Sequence, residues 1–233
     1  MLNIKLNPEL GVVVVAGGDG KRFGRRNKLL AKLAGVPVFI HSLKKFHRLC
    51  PAGSLVLVVK KSETAKFANA LKEYLPNVDV RIAYAGKTRM HSVMSGISIL
   101  PMTVRYVAVH DAARPLATSD ILVLAYRMAR KHGGAVVAKK MTDTIKQSIR
   151  KCFVLKTLDR GNIWSVETPQ VFPLDKLMAS YVRAFGKGLE FTDDSAVMES
   201  AGHQPYLLEY PQSNIKITFP EDLKIASICL KRK

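Results

Sequence analysis

A glycine-rich basic segment near the start of the chain has the residue types needed to bind a phosphorylated ligand. Glycines allow backbone N–H groups to approach an anion closely, and neighbouring cations could hold a triphosphate. A solvated basic turn between a strand and a helix is the alternative reading. The candidate nucleotide-binding and catalytic residues of this segment are Ala16, Gly17, Gly18, Gly20, Arg22 and Lys28.

A second candidate site is the segment H-D-A-A-R-P at residues 110–115. Asp111 could hold Mg²⁺, which prefers carboxylate and phosphate oxygens. Arg114 could pair with a phosphate or with Asp111. A structural salt bridge at the end of a strand would use the same residue types, so these six residues alone leave both readings open.

Three shorter segments are weak signals when each is taken alone. They are T-P-Q at residues 168–170, T-D-D at residues 192–194 and N-I-K-I-T at residues 214–218. The second reads most simply as a helix N-cap followed by acidic first-turn residues. Lys216 in an alternating strand would ordinarily face solvent.

Familiar phosphate and hydrolase motifs fail. The dinucleotide pattern G-x-G-x-x-G would place its third glycine at Phe23, and a P-loop ending at Thr88 would place its first glycine at Arg81. The nucleophile-elbow pattern G-x-S-x-G does not occur. These failures argue against a dehydrogenase, a P-loop enzyme and a serine hydrolase.

The elements that must position these residues alternate along the chain. Strands are predicted at residues 12–15, 54–59, 78–84, 104–109 and 135–138, and helices at residues 38–49, 63–75, 88–100, 118–131, 174–186 and 193–201. The alternation predicts an α/β fold: a Rossmann-like, mostly parallel sheet flanked by helices. In such sheets ligands bind beyond the carboxyl ends of the strands, so functional residues should follow Val15, Tyr84 and Val109.

Two later segments complete this prediction. Residues 139–163 are polar, basic and β-like, and they interrupt the alternation, which predicts a β-arm that leaves the sheet. The chain is then predicted to close with a strand at residues 214–218 and a helix from Pro220 onwards. We expect one domain over residues 1–233, with the arm as its excursion.

Composition limits the class of protein. The longest apolar run near the start is too short to span a bilayer, and residues 1–10 lack the pattern of a signal peptide, so no membrane partner is expected. The three cysteines, Cys50, Cys152 and Cys229, are far apart, which fits reduced thiols and a cytoplasmic location. The net charge of +19 favours anionic partners, but the basic residues are scattered and form no nucleic-acid-binding module.

The motifs taken together and in order are much more specific. The set A-G-G-x-G-x-R, H-D-A-A-R-P, D-R…W…T-P-Q, T-D-D and N-I-K-I-T extends over residues 12–222 and resembles the methylerythritol phosphate cytidylyltransferases of non-mevalonate isoprenoid synthesis. The glycine segment alone would imply only the wider sugar-nucleotide transferase superfamily. The resemblance implies that methylerythritol phosphate attacks the α-phosphorus of CTP, giving a CDP-alcohol and pyrophosphate.

The resemblance also implies roles for residues. Arg22 and Lys28 would stabilise the transition state, Mg²⁺ would be the cofactor, and the arm would make a homodimer in which it reaches the partner's site. Asp111 would bind nucleotide and help to place the metal. The remaining implied nucleotide-binding residues are Ala16, Gly17, Gly18, Gly20, Ala85, Gly86 and Ser92, and the implied substrate-binding residues are Arg114, Thr144, Arg160, Thr192 and Lys216.

The chain departs from the family pattern at three positions. Asn27 precedes Lys28 where the family usually has proline, Lys87 follows Gly86 where an acidic residue is common, and Glu167 precedes Thr168 where Gln or Leu is frequent. Ribitol-5-phosphate cytidylyltransferases share most of the motifs and are the closest rival reading. A basic nucleic-acid-binding protein is the alternative from another class.

Overall fold

A computed structural model describes residues 7–18, 20–24, 27–150 and 152–231. Asp19, Arg25 and Arg26 of the glycine-rich segment lie outside the described residues. The described strands are β1 (Leu10–Val15), β2 (Lys32–Leu33), β3 (Val36–Pro37), β4 (Leu55–Val59), β5 (Arg81–Tyr84), β6 (Tyr106–Asp111), β7 (Ala135–Lys140), β8 (Ile145–Ile149), β9 (Phe153–Leu158), β10 (Trp164–Pro173) and β11 (Tyr206–Glu209). The helices are α1 (Val38–Phe46), α2 (Thr64–Tyr74), α3 (Arg89–Ile97), α4 (Ser119–His132), α5 (Leu174–Gly186), α6 (Asp194–Ser200) and α7 (Glu221–Lys231).

Seven of these strands form one sheet in the order β11-β7-β10-β6-β1-β4-β5. Every pairing in it is parallel except those of β10, which runs antiparallel to β6 and β7. The predicted mostly parallel α/β sheet is confirmed. After β1 the chain adds β4 and β5 on one side and then crosses to place β6 on the other, which creates a crevice at the carboxyl end of β1.

The valine run of β1 is buried on both faces of the sheet. Val12 and Val14 pack into a core with Phe39 of α1, whereas Val13 packs into a second core with Leu177 of α5. Successive side chains of a strand point to opposite faces, so a strand covered by helices on both sides has no position for a polar residue. The continuous apolar run therefore reflects the layered α/β architecture.

Helix α4 shows how local sequence sets the element boundaries. Thr118 accepts a 3.2 Å hydrogen bond from the N–H of Ile121 and caps the first turn. Gly133 ends the helix in the left-handed conformation, with φ of 81°. The helix begins shortly after H-D-A-A-R-P, with residues 116–118 between them, and so anchors the C-terminal end of that segment.

Three sequence predictions about elements need correction. Residues 214–218 form no strand, because they are held by side-chain contacts and by one backbone bond, from the N–H of Ile217 to the carbonyl of Ala113, instead of by a ladder. The strand predicted at residues 78–84 begins only at Arg81. Strands β10 and β11 were not predicted, although β10 carries T-P-Q.

The arm is present as a separate antiparallel hairpin of β8 and β9, within the predicted residues 139–163. Residues 139 and 140 belong to β7 and so to the main sheet. Among the described residues, no helix has the length and apolarity that crossing a membrane requires.

Candidate active site

A cleft of about 530 Å³ lies at the carboxyl edge of the parallel strands. Its walls come from segments that follow β1, β4, β5 and β6 and from residues 216–218. The volume is within the range of small-ligand sites. Of the sequence-predicted site residues, eleven line it: Ala16, Gly17, Gly18, Gly20, Arg22, Lys28, Ala85, Gly86, Ser92, Asp111 and Lys216.

The cleft is strongly cationic. Its described lining has one acidic residue, Asp111, whereas the basic residues are Arg22, Lys28, Lys60, Lys61, Lys87, Arg89 and Lys216. Such a concentration of one sign of charge in a concave site raises the local concentration of anions. The arrangement suits a polyphosphate far better than a neutral or cationic ligand.

The glycine loop packs directly against the segment after β5. A Cβ atom on Gly17 would lie 2.4 Å from the Cβ of Ala85, so only glycine allows this approach. Gly20 has φ of 59°, the left-handed region that glycine adopts without strain. These two glycines let the loop turn at the end of β1 and form one wall of the cleft.

The opposite wall is the beginning of α3. Ser92 Oγ donates a 2.9 Å bond to the carbonyl of Thr88 and accepts a 3.1 Å bond from the N–H of Gly86. A Cβ atom on Gly86 would lie 2.4 Å from the Cβ of His91, so this position also requires glycine. Ser92 therefore holds the segment after β5 in place at the cleft.

Lys28 reaches the cleft from the glycine loop. Its Nζ donates a 2.7 Å hydrogen bond to the carbonyl oxygen of Ile217. Burial and the nearby Lys216 cation lower the pKa of Lys28. Arg22 is exposed at the mouth, with its guanidinium 5.8 Å from the ring centroid of Phe219. The two cations assigned to transition-state stabilisation thus line the same cleft.

Asp111 lies between two cations. Its Oδ2 is 2.6 Å from Nζ of Lys216, and its Oδ1 is 3.7 Å from Nη2 of Arg89. Burial opposes ionisation of this carboxyl, but the cations of Lys216 and Arg89 outweigh it and hold the pKa of Asp111 well below its usual range. Asp111 is therefore an oriented carboxylate at neutral pH.

His110, the first residue of H-D-A-A-R-P, is buried and connects this segment to α1 and to T-P-Q. Ser42 donates to the carbonyl of Arg114 at 3.2 Å, so its oxygen accepts from Nε2 of His110 at 3.1 Å. Nδ1 then accepts from the hydroxyl of Thr168, which itself accepts from the N–H of Asp111 at 3.0 Å. Burial lowers the pKa of His110 to about 3, so the ring is neutral and can have this single donor. The T-P-Q threonine thus fixes the backbone of Asp111.

Arg114 does not line the cleft. Its Nη1 donates to the carbonyl of Asn214 at 2.8 Å and lies 3.9 Å from Glu167, while the side chain of Asn214 donates to Glu167 and to the carbonyl of Thr168. Burial lowers the pKa of Arg114, and the carboxylates of Asp111 and Glu167, which favour its charged form, only partly offset this effect. Arg114 and Asn214 hold residues 214–218 beside H-D-A-A-R-P, and a direct contact of Arg114 with substrate stays a prediction.

The other predicted substrate residues lie away from the cleft of their own chain. Thr144 and Arg160 flank the arm hairpin and are exposed, with Arg160 donating to the carbonyl of Thr142. Thr192 is exposed and precedes Asp193, which caps α6 through the N–H of Ala196 at 3.1 Å. The sequence suggests an N-cap within T-D-D, and the structure confirms it, but the capping residue is Asp193 and not Thr192. The substrate roles of Thr144, Thr192 and Arg160 stay predictions.

Comparison with known proteins decides the family. Residues 10–232 match the family model described as IspD: 2-C-methyl-D-erythritol 4-phosphate cytidylyltransferase. The chain belongs to this family. A relative of that name from Caldanaerobacter subterraneus is 35% identical over 225 residues, which cover 96% of this chain and 99% of the relative. The crystal structure of 4-diphosphocytidyl-2C-methyl-D-erythritol synthase from Anaerococcus prevotii superposes with a TM-score of 0.82 at 25% identity and 97% coverage of each chain.

In this member of the cytidylyltransferase family, Asn27 precedes Lys28 at the position where the resemblance led us to expect proline. The side chain of Asn27 donates to Glu63 at 2.8 Å and accepts from the N–H of Leu29 at 2.9 Å. An asparagine that bonds to its own backbone two residues on makes a local turn. Asn27 thereby fixes the backbone from which Lys28 enters the cleft.

Sequence reasoning missed four cations of the cleft. Lys60 and Lys61 directly follow β4, so the rule that ligands lie beyond strand ends was sufficient to find them. Lys87 was noticed only as a departure from the family. Arg89 had no local signal, because its partners Asp111 and Asp194 lie far along the chain.

Proposed function

We propose that this chain transfers CMP from CTP to 2-C-methyl-D-erythritol 4-phosphate, with release of pyrophosphate. The observation that carries the proposal is the meeting of Arg22, Lys28, Asp111 and Lys216 in one cationic cleft of a chain that belongs to the cytidylyltransferase family. Relatives from Caldanaerobacter and from Bacillus velezensis, at 35% and 36% identity, are named for this activity.

The chemistry needs charge more than it needs a base. An oxygen of the acceptor phosphate attacks the α-phosphorus of CTP, and the bond to the pyrophosphate oxygen breaks. A phosphate monoester is largely ionised at pH 7, since its second pKa is about 6, so no proton has to be removed. The site must bring two anions together and stabilise the additional charge in line, which fixed cations do.

The described residues divide naturally between these tasks. Arg22 and Lys28, on the glycine loop, are placed to face the triphosphate, and Gly17, Ala85 and Gly86 let backbone come close to the nucleotide. Lys216 reaches the cleft from residues 214–218, where it contacts Asp111, and is suited to the acceptor phosphate. The substrate roles of Arg114, Thr144, Arg160 and Thr192 belong to the proposal in the same way.

Mg²⁺ is the proposed cofactor. The described residues contain no group of three or more His, Cys, Asp or Glu side chains that could form a cage. Mg²⁺ is commonly held by one or two carboxylates together with substrate phosphates, and Asp111 is the carboxylate in the cleft. The donor set fits on that basis, and bound Mg²⁺ would neutralise phosphate charge. Its proposed protein ligand is Asp111.

A homodimer formed through the arm is also part of the proposal. The hairpin of β8 and β9 exposes four large apolar side chains, with exposed fractions of 48% for Ile149, 69% for Phe153, 62% for Val154 and 52% for Leu155. A lone hairpin is marginally stable in water, and contiguous exposed apolar side chains mark interaction surfaces. Pairing with the same arm of a second chain would cover them and bring Thr144 and Arg160 to the partner's cleft.

A cytoplasmic location completes the proposal. Cys50, Cys152 and Cys229 are free thiols in the described structure. Unpaired cysteines are usual in reducing compartments.

One assay tests the function. Release of pyrophosphate would be measured with CTP and Mg²⁺, in separate reactions with 2-C-methyl-D-erythritol 4-phosphate and with ribitol 5-phosphate as acceptor. In control reactions, ATP or GTP replaces CTP. We expect turnover with CTP and methylerythritol phosphate and poor turnover with ATP and GTP. A clearly higher kcat/KM with ribitol 5-phosphate would overturn the acceptor but keep the reaction. No turnover with either acceptor, together with steeply salt-dependent binding of duplex DNA, would overturn the enzyme assignment.

A further inference from the structure

Arg89 lies in the wall of the cleft, between two carboxylates. It is the first residue of α3, and its Nη2 lies 2.7 Å from Oδ2 of Asp194 and 3.7 Å from Oδ1 of Asp111. These two acids come from distant parts of the chain, one at the end of β6 and one at the start of α6. Arg89 therefore joins the wall of the cleft to the core beneath it.

Asp194 is a rigid anchor for this arginine. Its side chain is fully buried, and Oδ1 accepts a hydrogen bond from the hydroxyl of Tyr181 in α5. A buried carboxylate needs a paired cation, because it cannot be solvated by water. The guanidinium of Arg89 is thus held in one place by a group that takes no part in lining the cleft.

Asp111 receives cations on both of its oxygens. Arg89 lies on the Oδ1 side and Lys216 on the Oδ2 side at 2.6 Å. Rotation of the carboxylate would break the close contact with Lys216. Three ion pairs therefore connect Asp194, Arg89, Asp111 and Lys216 in that order. Through them the buried carboxylate of Asp194 helps to set the position of Lys216, a cation that lines the cleft.

The arrangement is not optimised for stability alone. Nη1 of Arg89 is buried and has no hydrogen-bond partner among the described residues. A buried donor without a protein partner costs folding free energy, and each such exception in a native protein needs an explanation: a functional role, stored strain or an ordered water. Both contacts are made by one nitrogen, Nη2, whose place is set by the rigid plane of the guanidinium, whereas the flexible stem of lysine would not fix its ammonium at this point.

We propose that Arg89 is a positioning residue for nucleotidyl transfer: it fixes the Asp111 carboxylate, which in turn holds Lys216 in the orientation that the acceptor phosphate requires. This inference rests on the proposed function. It assigns Arg89 no contact with the reacting atoms, and it predicts that the effect of Arg89 on the rate passes through Lys216.

The test is a double-mutant cycle of Arg89→Lys and Lys216→Gln, with Arg81→Lys as matched control. Arg81 lies at the opposite end of β5 and donates to the carbonyl of Ile99. We expect Arg89→Lys to lower kcat roughly 10-fold to 100-fold, because a misplacement of about 1 Å can cost 10²-fold, with little change in KM for CTP. In the Lys216→Gln background the same change should cost much less, because coupled residues are not additive.

Asp194→Asn provides a second route to the same question. This change weakens the ion pair that anchors Arg89 but leaves every residue of the cleft lining unchanged, and it should lower kcat as Arg89→Lys does. It therefore keeps the test available if the Arg89→Lys protein does not fold. A wild-type kcat in a folded Arg89→Lys or Asp194→Asn protein overturns the inference, as does an equal loss in both Lys216 backgrounds. A wild-type chain that transfers CMP to neither acceptor overturns the proposed function itself, and with it this inference.

Discussion

Lys28 Nζ donates a 2.7 Å hydrogen bond to the carbonyl oxygen of Ile217, a residue 189 positions further along the chain. The contact joins two walls of the cleft, the glycine loop and the segment that carries Lys216. It also brings two lysines near each other, which lowers the pKa of Lys28 further than burial alone. The charge state of Lys28 is therefore sensitive to pH and to bound anions.

Alkaline pH should inactivate the free enzyme through Lys28. The pKa of Lys28 lies below 10.5, the value of an ordinary lysine, so Lys28 loses its proton at a lower pH than an ordinary lysine does. As the pH is raised, kcat/KM for CTP should therefore begin to fall before pH 10.5 is reached. Arginine stays charged up to about pH 12, so Lys28→Arg should move this fall to higher pH even if the maximal rate drops. The measurement is kcat/KM for CTP against pH in both proteins, and superimposable alkaline limbs would remove Lys28 from this role.

His110 should make stability depend on pH. Its pKa is about 3 in the folded chain, against 6.5 for an ordinary histidine, so the unfolded chain binds the extra proton between these values. His110 therefore costs no stability above pH 6.5. As the pH decreases from 6.5 towards 3, this residue lowers the free energy of unfolding by about 1.4 kcal/mol per pH unit. Urea unfolding of wild type and of His110→Gln at several pH values isolates this residue. The difference between the two proteins should change with pH, and parallel curves would contradict the prediction.

Gly17→Ala should damage nucleotide binding. The added Cβ would meet the Cβ of Ala85 at 2.4 Å, so the loop must shift away from the segment after β5. We expect KM for CTP to rise and the melting temperature to decrease. Gly186→Ala is the matched control, because nothing lies within 4 Å of its added Cβ. A normal KM in a folded Gly17→Ala protein would show that close contact of these two segments is unnecessary.

Subunit mixing should reveal whether Arg160 serves the partner's site. Arg22→Ala should lower kcat by about 10²-fold or more, as removal of a fixed charge-stabilising donor does, and Arg160→Ala should impair acceptor binding. If the arm completes the partner's cleft, mixed dimers of the two inactive chains regain one intact site of two. Activity is compared before and after confirmed subunit exchange. Lack of recovery would place Arg160 in its own chain's site or outside the site.

The sequence by itself determined the layered sheet and the location of its site. The valine run at residues 12–15 required burial on both faces, and the alternation of strands and helices required parallel strands whose carboxyl ends meet at one edge. Glycines and cations that follow these strands were therefore certain to be near each other. That reasoning found Asp111, which ends β6, and also Arg22 and Lys28, which belong to the glycine-rich basic segment after β1.

Only the tertiary structure decided how distant segments join. Residues 214–218 alternate like a strand, but the side chain of Asn214 bonds to Glu167 and to the carbonyl of Thr168, and the segment becomes an irregular support for Lys216. Arg89 has no motif of its own, since its importance depends on Asp111 and Asp194. Periodicity and propensity report local preference, whereas hydrogen bonds and ion pairs between residues a hundred positions apart exist only once the sheet has brought them together.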